Sequence, residues 1–155
     1  MKNNFIKFLL TLILCFNIND YVKSEELIFK SDTVELKDNG NIIEAKNGVI
    51  IQGINNIKIN AKNSFYNNLN SELLLKDDVV FYDNEKNIKI TSDEVLYKRK
   101  IEKIISSGKT QIQLTSNYKI ITDNIEYLIK KNIIQSNSKT VLLDKFNNQV
   151  NVSDF

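Results

Sequence analysis

The chain has 155 residues, of which 42% are hydrophobic and 26% charged, with 21 Lys and Arg against 19 Asp and Glu. This length predicts one domain with a hydrophobic core. The absence of His and the presence of a single Cys exclude Ser-His-Asp and Cys-His nucleophiles, His metal ligands, an intrachain disulfide and a Cys-rich zinc site. These absences remove most classes of enzyme. Together with the repeat described below, they lead us to expect a protein that is not an enzyme and that uses no cofactor and no metal.

Residues 1–24 have the pattern of an export signal. Lys2 gives a basic start, residues 5–16 form a short apolar run, and Val22-Lys23-Ser24 provides acceptable residues before a cut after Ser24. The run is shorter than the roughly 20 apolar residues of a membrane span. The alternative is an uncleaved N-terminal anchor. The sequence predicts a signal peptide over residues 1–24 and one domain over residues 25–155.

The predicted signal also accounts for the basic character of the whole chain. Removing residues 1–24 removes Cys15, three lysines and one aspartate, which leaves equal numbers of basic and acidic residues. The sequence pI of about 8.5 therefore gives no support to a nucleic-acid partner.

From Glu25 onward apolar and polar residues alternate, which is typical of half-buried strands. Segments such as Ile57–Ala61 and Tyr118–Ile120 show this period of two. Turn-forming residues lie between the segments, for example Asp38-Asn39-Gly40-Asn41 and Asp83-Asn84. The pattern predicts an all-β protein.

The alternating segments repeat along the chain at intervals of 30, 31 and 30 residues. Each column of the repeat keeps one residue character, and five of the columns are Leu27, Ile57, Ile88, Tyr118; Phe29, Ile59, Ile90, Ile120; Leu36, Tyr66, Tyr97, Tyr127; Val49, Val79, Thr110, Thr140; and Ile51, Phe81, Ile112, Leu142. The extra residue falls in the turn around Asp83-Asn84. Each repeat predicts two strands of about ten residues, so four repeats give about eight strands, and residues 149–155 begin a fifth.

The repeat motif resembles the OstA-like periplasmic domain of lipopolysaccharide transport. The first half of that family's repeat (apolar, Ala or Ser, Asp, any residue, Val, any residue, Tyr) is matched by Ser92–Tyr97 and Thr122–Tyr127. The second half (apolar, Ala, any residue, Gly, Asn, Val, any residue, Ile) is matched by Ile43–Ile51 and Ile104–Ile112. Departures include Lys62 in an Asp position and Asp77 in a Gly position.

The resemblance implies a two-sheet β-jellyroll, open along one side like a folded taco, whose apolar interior holds the acyl chains of lipopolysaccharide. Two relatives fit the layout: the N-terminal domain of the outer-membrane protein LptD, which the chain resembles more, and the soluble periplasmic bridge LptA. Both imply an exported protein of the periplasm, associated with the outer membrane, whose partners are lipopolysaccharide and other jellyroll domains that pair through edge strands.

Within this interpretation the interior columns supply the candidate ligand-binding residues. The predicted acyl-chain groove consists of Ile59, Ile90, Ile120, Val79, Phe81 and Ile112, and a possible groove mouth consists of Tyr66, Tyr97 and Tyr127. The same tyrosines also suit ordinary cross-strand packing. Lys98-Arg99-Lys100 is either a phosphate-binding cluster or a solvated turn.

Two alternatives stay open on the sequence alone. A parallel β-helix also produces columns in register. A structural β-repeat protein with a closed core and no ligand explains the alternation as well, because alternating strands usually pack against each other. A carrier needs an apolar slot, whereas a purely structural repeat has a filled interior.

Overall fold

The structure, a computed structural model, describes residues 27–54, 56–114 and 117–153, and the predicted export signal lies outside them. The described chain is almost entirely antiparallel β-structure. Its strands are β1 (Ile28–Lys30), β2 (Thr33–Lys37), β3 (Ile42–Ile54), β4 (Ile57–Asn67), β5 (Glu72–Asp83), β6 (Ile88–Lys98), β7 (Lys103–Leu114), β8 (Tyr118–Leu128), β9 (Ile133–Gln135), β10 (Thr140–Leu143) and β11 (Gln149–Val152). Two short 3-10 turns occupy Asp38–Gly40 and Arg99–Ile101.

The strands confirm the predicted repeat of strand pairs. The second repeat is β4 and β5, and the third is β6 and β7, each strand having 11 or 12 residues. The first repeat begins with a strand interrupted at Ser31-Asp32, and the fourth ends with a strand interrupted between Gln135 and Thr140. Every strand pair of the described chain is antiparallel, so the parallel β-helix alternative is wrong for this part of the protein.

Irregular register in the middle of β3 to β8 divides the single sheet into two layers. Between β3 and β4 the register shifts between Lys46 and Val49, where two residues of β3 oppose one of β4. The same shift recurs at each pairing as far as β7 with β8. A bulge of this kind bends the strand that carries it, so the sheet folds back on itself along a line of bulges, which we call the crease.

Aromatic contacts show that the two layers face each other. The rings of Phe81 and Tyr97 lie in opposite layers with centroids 6.1 Å apart, and those of Phe29 and Tyr66 are 5.9 Å apart. The first layer holds β1, β10, β11 and the strand halves that include residues 57–61 and 79–83. The second layer holds β2, β9 and the other halves. The turns of both layers lie opposite the crease, at what we call the mouth.

The core lies between the layers because strand alternation directs one set of side chains inward. In β6 the inward residues are Ile88, Ile90 and Ser92, and then Val95 and Tyr97. The step from Ser92 to Val95 spans three residues rather than two, so strict alternation fails at the crease. The bulges thus keep the same face inward on both sides of the bend.

Side chains on adjacent strands fasten the crease. The Asp93 carboxylate accepts a hydrogen bond from the backbone N–H of Lys109 at 2.9 Å, and the Asn63 amide donates to Asp77 at 2.9 Å. Lys62, in the position where other repeats have Asp, pairs with Asp78 at 2.6 Å. Asp93, Asp77 and Asp78 therefore connect the two strands on either side of the bulges.

No helix among the described residues is both long enough and apolar enough to cross a membrane. Within the same part of the chain no group of three or more Cys, Asp or Glu side chains is placed to hold a metal ion.

Gly108 should be more sensitive to substitution than Gly48, although both are bulge glycines. Both have positive φ, +79° and +88°, which costs a residue with a Cβ about 1–2 kcal/mol. A Cβ at Gly108 would also lie 2.6 Å from the Asp93 carboxylate, whereas one at Gly48 meets no atom within 4 Å. We expect Gly108→Ala to destabilise the protein by about 1 kcal/mol more than Gly48→Ala in urea unfolding. Equal losses would contradict this account of the bulge.

Candidate functional site

The structure brings the six predicted groove residues together in the interior of the first layer. Five of them form one inward row across β4 to β8, namely Ile59, Phe81, Ile90, Ile112 and Ile120. Val79 lies in the neighbouring row, opposite Ser92. All six side chains are buried, with at most 6% of their surface exposed.

Side chains fill the interior around these residues. The void between Leu27, Ile59 and Tyr97 has no room for a water molecule. Close packing of this kind is what the closed-core alternative expects. A ligand among these side chains would require the two layers to separate, so the role of the six residues in binding stays a prediction.

The three predicted mouth tyrosines lie in the last complete inward row of the second layer, next to its turns. All three are buried, with 4% of Tyr66, 1% of Tyr97 and none of Tyr127 exposed. The Tyr66 hydroxyl accepts a hydrogen bond from the Arg99 guanidinium at 2.6 Å. The tyrosines thus lie next to the mouth but are shielded from solvent.

Tyr127 makes a contact that the sequence pattern does not predict. Its hydroxyl donates to the Asp83 carboxylate at 2.9 Å, although the two residues lie in opposite layers. Asp83 occupies an inward position at the end of β5 and is 3% exposed. One feature of the sequence could have indicated that Asp83 has a special role. It lies two residues after Phe81, where alternation predicts an apolar residue, and the third repeat has Leu114 at this position.

Burial is the main reason that the pKa of Tyr127 is raised, and the neighbouring Asp83 carboxylate adds to the effect. Both causes favour the neutral phenol, because its ionised form would be desolvated and would lie beside a negative charge. The phenol therefore stays a hydrogen-bond donor to Asp83 at neutral pH.

Hydroxyl groups line the inner side of the crease in the C-terminal half of the domain. Thr110 bonds to Ser92 at 3.0 Å and to Ser106 at 2.8 Å. Thr122 continues the series, with Ser136 at 3.0 Å and Thr140 at 3.1 Å. In the N-terminal half the same line carries mostly apolar side chains, among them Ala45, Val49, Ala61 and Val79, and one buried hydroxyl, that of Ser64. The C-terminal end of the crease is therefore more polar than the N-terminal end.

The basic cluster Lys98-Arg99-Lys100 forms contacts within the turns of the second layer. Lys98 pairs with Glu72 at 3.2 Å, and the Lys100 ammonium donates to the carbonyl of Leu69 at 3.1 Å. These contacts favour the interpretation of the cluster as a turn, since its charged groups join neighbouring turns.

Inward rows are left uncovered at both ends of the sheet. At the N-terminal end, Val34 and Leu36 of β2 continue the inward rows of β3, yet they are 46% and 68% exposed. At the C-terminal end, Val150 of β11 pairs with Leu142 and is 56% exposed. Apolar surface at two open sheet edges is typical of a site where another strand adds to the sheet.

Two clefts lie beside the strands, and the larger one reaches the inner side of the crease. A cleft of about 590 Å³ beside β9 is lined by residues that include Ser106, Asn124 and Ser136. A groove of about 170 Å³ on the outer face of β3 to β5 has Phe65 and Leu74 as its apolar floor.

Replacing Tyr127 by Phe should lower stability and change its pH dependence. At neutral pH the Asp83 carboxylate loses a donor, which we expect to cost about 1–3 kcal/mol. Because the pKa of Tyr127 is raised on folding from its ordinary value of 10.0, its stabilising effect is complete below about pH 10 and is lost as the pH rises further. Urea unfolding should therefore show a steeper decline above about pH 10 for the native chain than for Tyr127→Phe.

The matched control for this experiment is Tyr118→Phe, since Tyr118 is 49% exposed. We expect this control to follow the native pH profile. If the stabilities of Tyr127→Phe and of the native chain decline in parallel above about pH 10, the ionisation of Tyr127 is not coupled to folding and this prediction is wrong.

No protein-family model matches the sequence, and no curated protein matches it either. The fold is similar to a solved structure of LptH from Pseudomonas aeruginosa, described as the LptA homologous periplasmic component of the conserved lipopolysaccharide transport device. The TM-score is 0.63 at 10% sequence identity, over 71% of this chain and 80% of that one. At this identity the similarity concerns the fold alone, and it confirms the predicted all-β jellyroll of the LptA kind.

Proposed function

We propose that this protein holds acyl chains of lipopolysaccharide between its two layers and takes part in lipopolysaccharide transport through the periplasm towards the outer membrane. The observation that carries the proposal is the fold itself. One antiparallel sheet is folded around an apolar interior whose inward rows are uncovered at both ends. A solved structure with a similar fold is a lipopolysaccharide transport component.

The proposed binding depends on apolar contact and needs no catalytic group. Each acyl CH₂ that leaves water contributes about 0.8 kcal/mol, and the interior row from Ile59 to Ile120 offers aliphatic and aromatic contacts along the sheet. Because side chains fill this interior, the ligand gains these contacts only when the layers separate and the core residues repack around it.

The finer assignment is to the N-terminal jellyroll of LptD, with a separate LptA-like bridge as the alternative. The two differ on the C-terminal side of the jellyroll, since LptD continues there into a large β-barrel. The DNA downstream of Phe155 distinguishes them: an open reading frame with many further alternating strands favours LptD, and a stop codon favours LptA.

A second candidate, a structural β-repeat protein without a ligand, is favoured by one observation, the filled interior around Ile59 and Tyr97. On this hypothesis the interior residues serve stability alone. Capture of a ligand in cells separates the two hypotheses.

Photo-crosslinking side chains inside the jellyroll should capture lipopolysaccharide. We would place benzoylphenylalanine at Phe81 and at Ile120, which point inward, and at Lys89 and Lys119 of the same layer, which point outward. Irradiation of Gram-negative cells should give a lipopolysaccharide adduct at the two inward positions only, since only these face the proposed ligand.

Circular dichroism of each purified variant checks that the larger side chain leaves the fold intact. Adducts at Lys89 and Lys119 alone would exclude the interior as the binding site. Folded variants without an adduct at any of the four positions would favour the structural repeat protein.

The open ends should support association between jellyrolls. Leu36→Glu at one end and Val150→Glu at the other place a charge on exposed inward rows, so each should weaken association by about tenfold or more in sedimentation equilibrium. Phe146→Glu is the matched control, because Phe146 is 72% exposed but lies in the turn between β10 and β11. A native chain that stays monomeric and binds no related jellyroll would contradict this part of the proposal.

A further inference from the structure

The turn between β5 and β6 reaches across the mouth to the end of β8. Asp83 begins this turn in the first layer, and its carboxylate accepts the hydrogen bond from Tyr127 of the second layer at 2.9 Å. In the order of the sheet β5 and β8 are three strands apart, which is about 14 Å at the usual strand spacing. The contact therefore passes between the layers rather than along the sheet.

Lys86 of the same turn makes a second contact with the second layer. Its ammonium donates to the carbonyl oxygen of Ile129 and lies 5.9 Å from the centroid of the Tyr127 ring. The backbone N–H of Lys86 donates to the Asp83 carboxylate at 3.0 Å, which fixes the turn. One turn thus presents a carboxylate and an ammonium to the opposite layer.

The sequence sets this turn apart from the others. It contains the one-residue insertion that lengthens the interval between the second and third repeats from 30 to 31 residues. It also places a carboxylate, 3% exposed, at an inward position that Leu114 fills in the third repeat. Asp144 stands in this column in the fourth repeat, but it is only partly buried, and its carboxylate accepts hydrogen bonds from Phe146 and Asn148 of its own turn. A buried carboxylate is costly unless it is paired, so closing the core alone does not require Asp83.

We propose that Asp83, Lys86 and Tyr127 form a latch that holds the two layers together at the mouth and must release before an acyl chain enters. Opening the latch returns a carboxylate and an ammonium to water, and their hydration offsets part of the free energy of the contacts that are lost. Parting the apolar core elsewhere has no such compensation. The mouth beside β5 and β8 is therefore the place where the layers separate most easily. The identification of the entering molecule as an acyl chain rests on the proposed function, whereas the latch between the two layers does not.

The distance between the two sides of the mouth tests the latch without any ligand. Spin labels would be attached to Glu85→Cys and Lys131→Cys, both at exposed positions on opposite sides, in a chain that carries Cys15→Ser. Because a hydrogen bond to a charged group shifts an equilibrium by about tenfold or more, Tyr127→Phe and Lys86→Ala should each move the distance distribution towards longer separations.

Two substitutions in the same layer serve as controls. Lys89→Ala removes an ammonium that lies 5.5 Å from the Tyr82 ring on the outer face of the first layer, and Tyr118→Phe removes the hydroxyl of an exposed tyrosine. Both should leave the native distribution unchanged. If Tyr127→Phe fails to fold, Lys86→Ala still tests the proposal, and an unchanged distribution in that variant overturns it.

Uptake of fluorescent lipopolysaccharide then tests whether the latch controls entry. We expect Lys86→Ala to take up the lipid about fivefold faster than the native chain, and Lys89→Ala at the native rate. Longer label distances without uptake by any variant would support the latch and contradict the proposed function. Equal uptake rates would overturn control of entry, and native label distances would overturn the latch while leaving the proposed function intact.

Discussion

A β-strand directs its side chains alternately to two faces, and this fold depends on keeping one of those faces inward while the sheet turns back on itself. Unbent strands would leave the apolar face of a single sheet in water. At the crease β4, β6 and β8 direct two successive residues outward, whereas β5 and β7 direct three, so the inward face is restored on the far side. The bulges, the buried rows and the opposed turns all result from this one constraint.

The sequence was sufficient to predict the strand pairs, their repeat and the inward columns, because alternation and turn residues are local signals. It also placed the extra residue correctly in the turn after Asp83. Two features depend on side-chain contacts between the two layers and could not be predicted from local sequence patterns. One is the contact of Asp83 with Tyr127, 44 residues away, and the other is the close packing around Ile59 and Phe81. The interruption of the first strand at Ser31-Asp32 was not predicted either.

The filled interior bears on how a carrier of this fold would operate. Packing among Phe81, Tyr97 and their neighbours stabilises the protein on its own, so a lipid would have to compete with contacts that the side chains already make. Such competition limits affinity and permits release, which suits transfer from one protein to the next better than storage does.

The repeat separates two dimensions of the domain that most folds couple. Each added strand pair lengthens the interior by about 10 Å, while the span from crease to mouth is set by half-strands of about five residues such as residues 63–67. Reach along the axis can therefore grow by duplication of a 30-residue unit without any change in cross-section. The number of repeats sets the length of the interior, and the length of the half-strands sets its width.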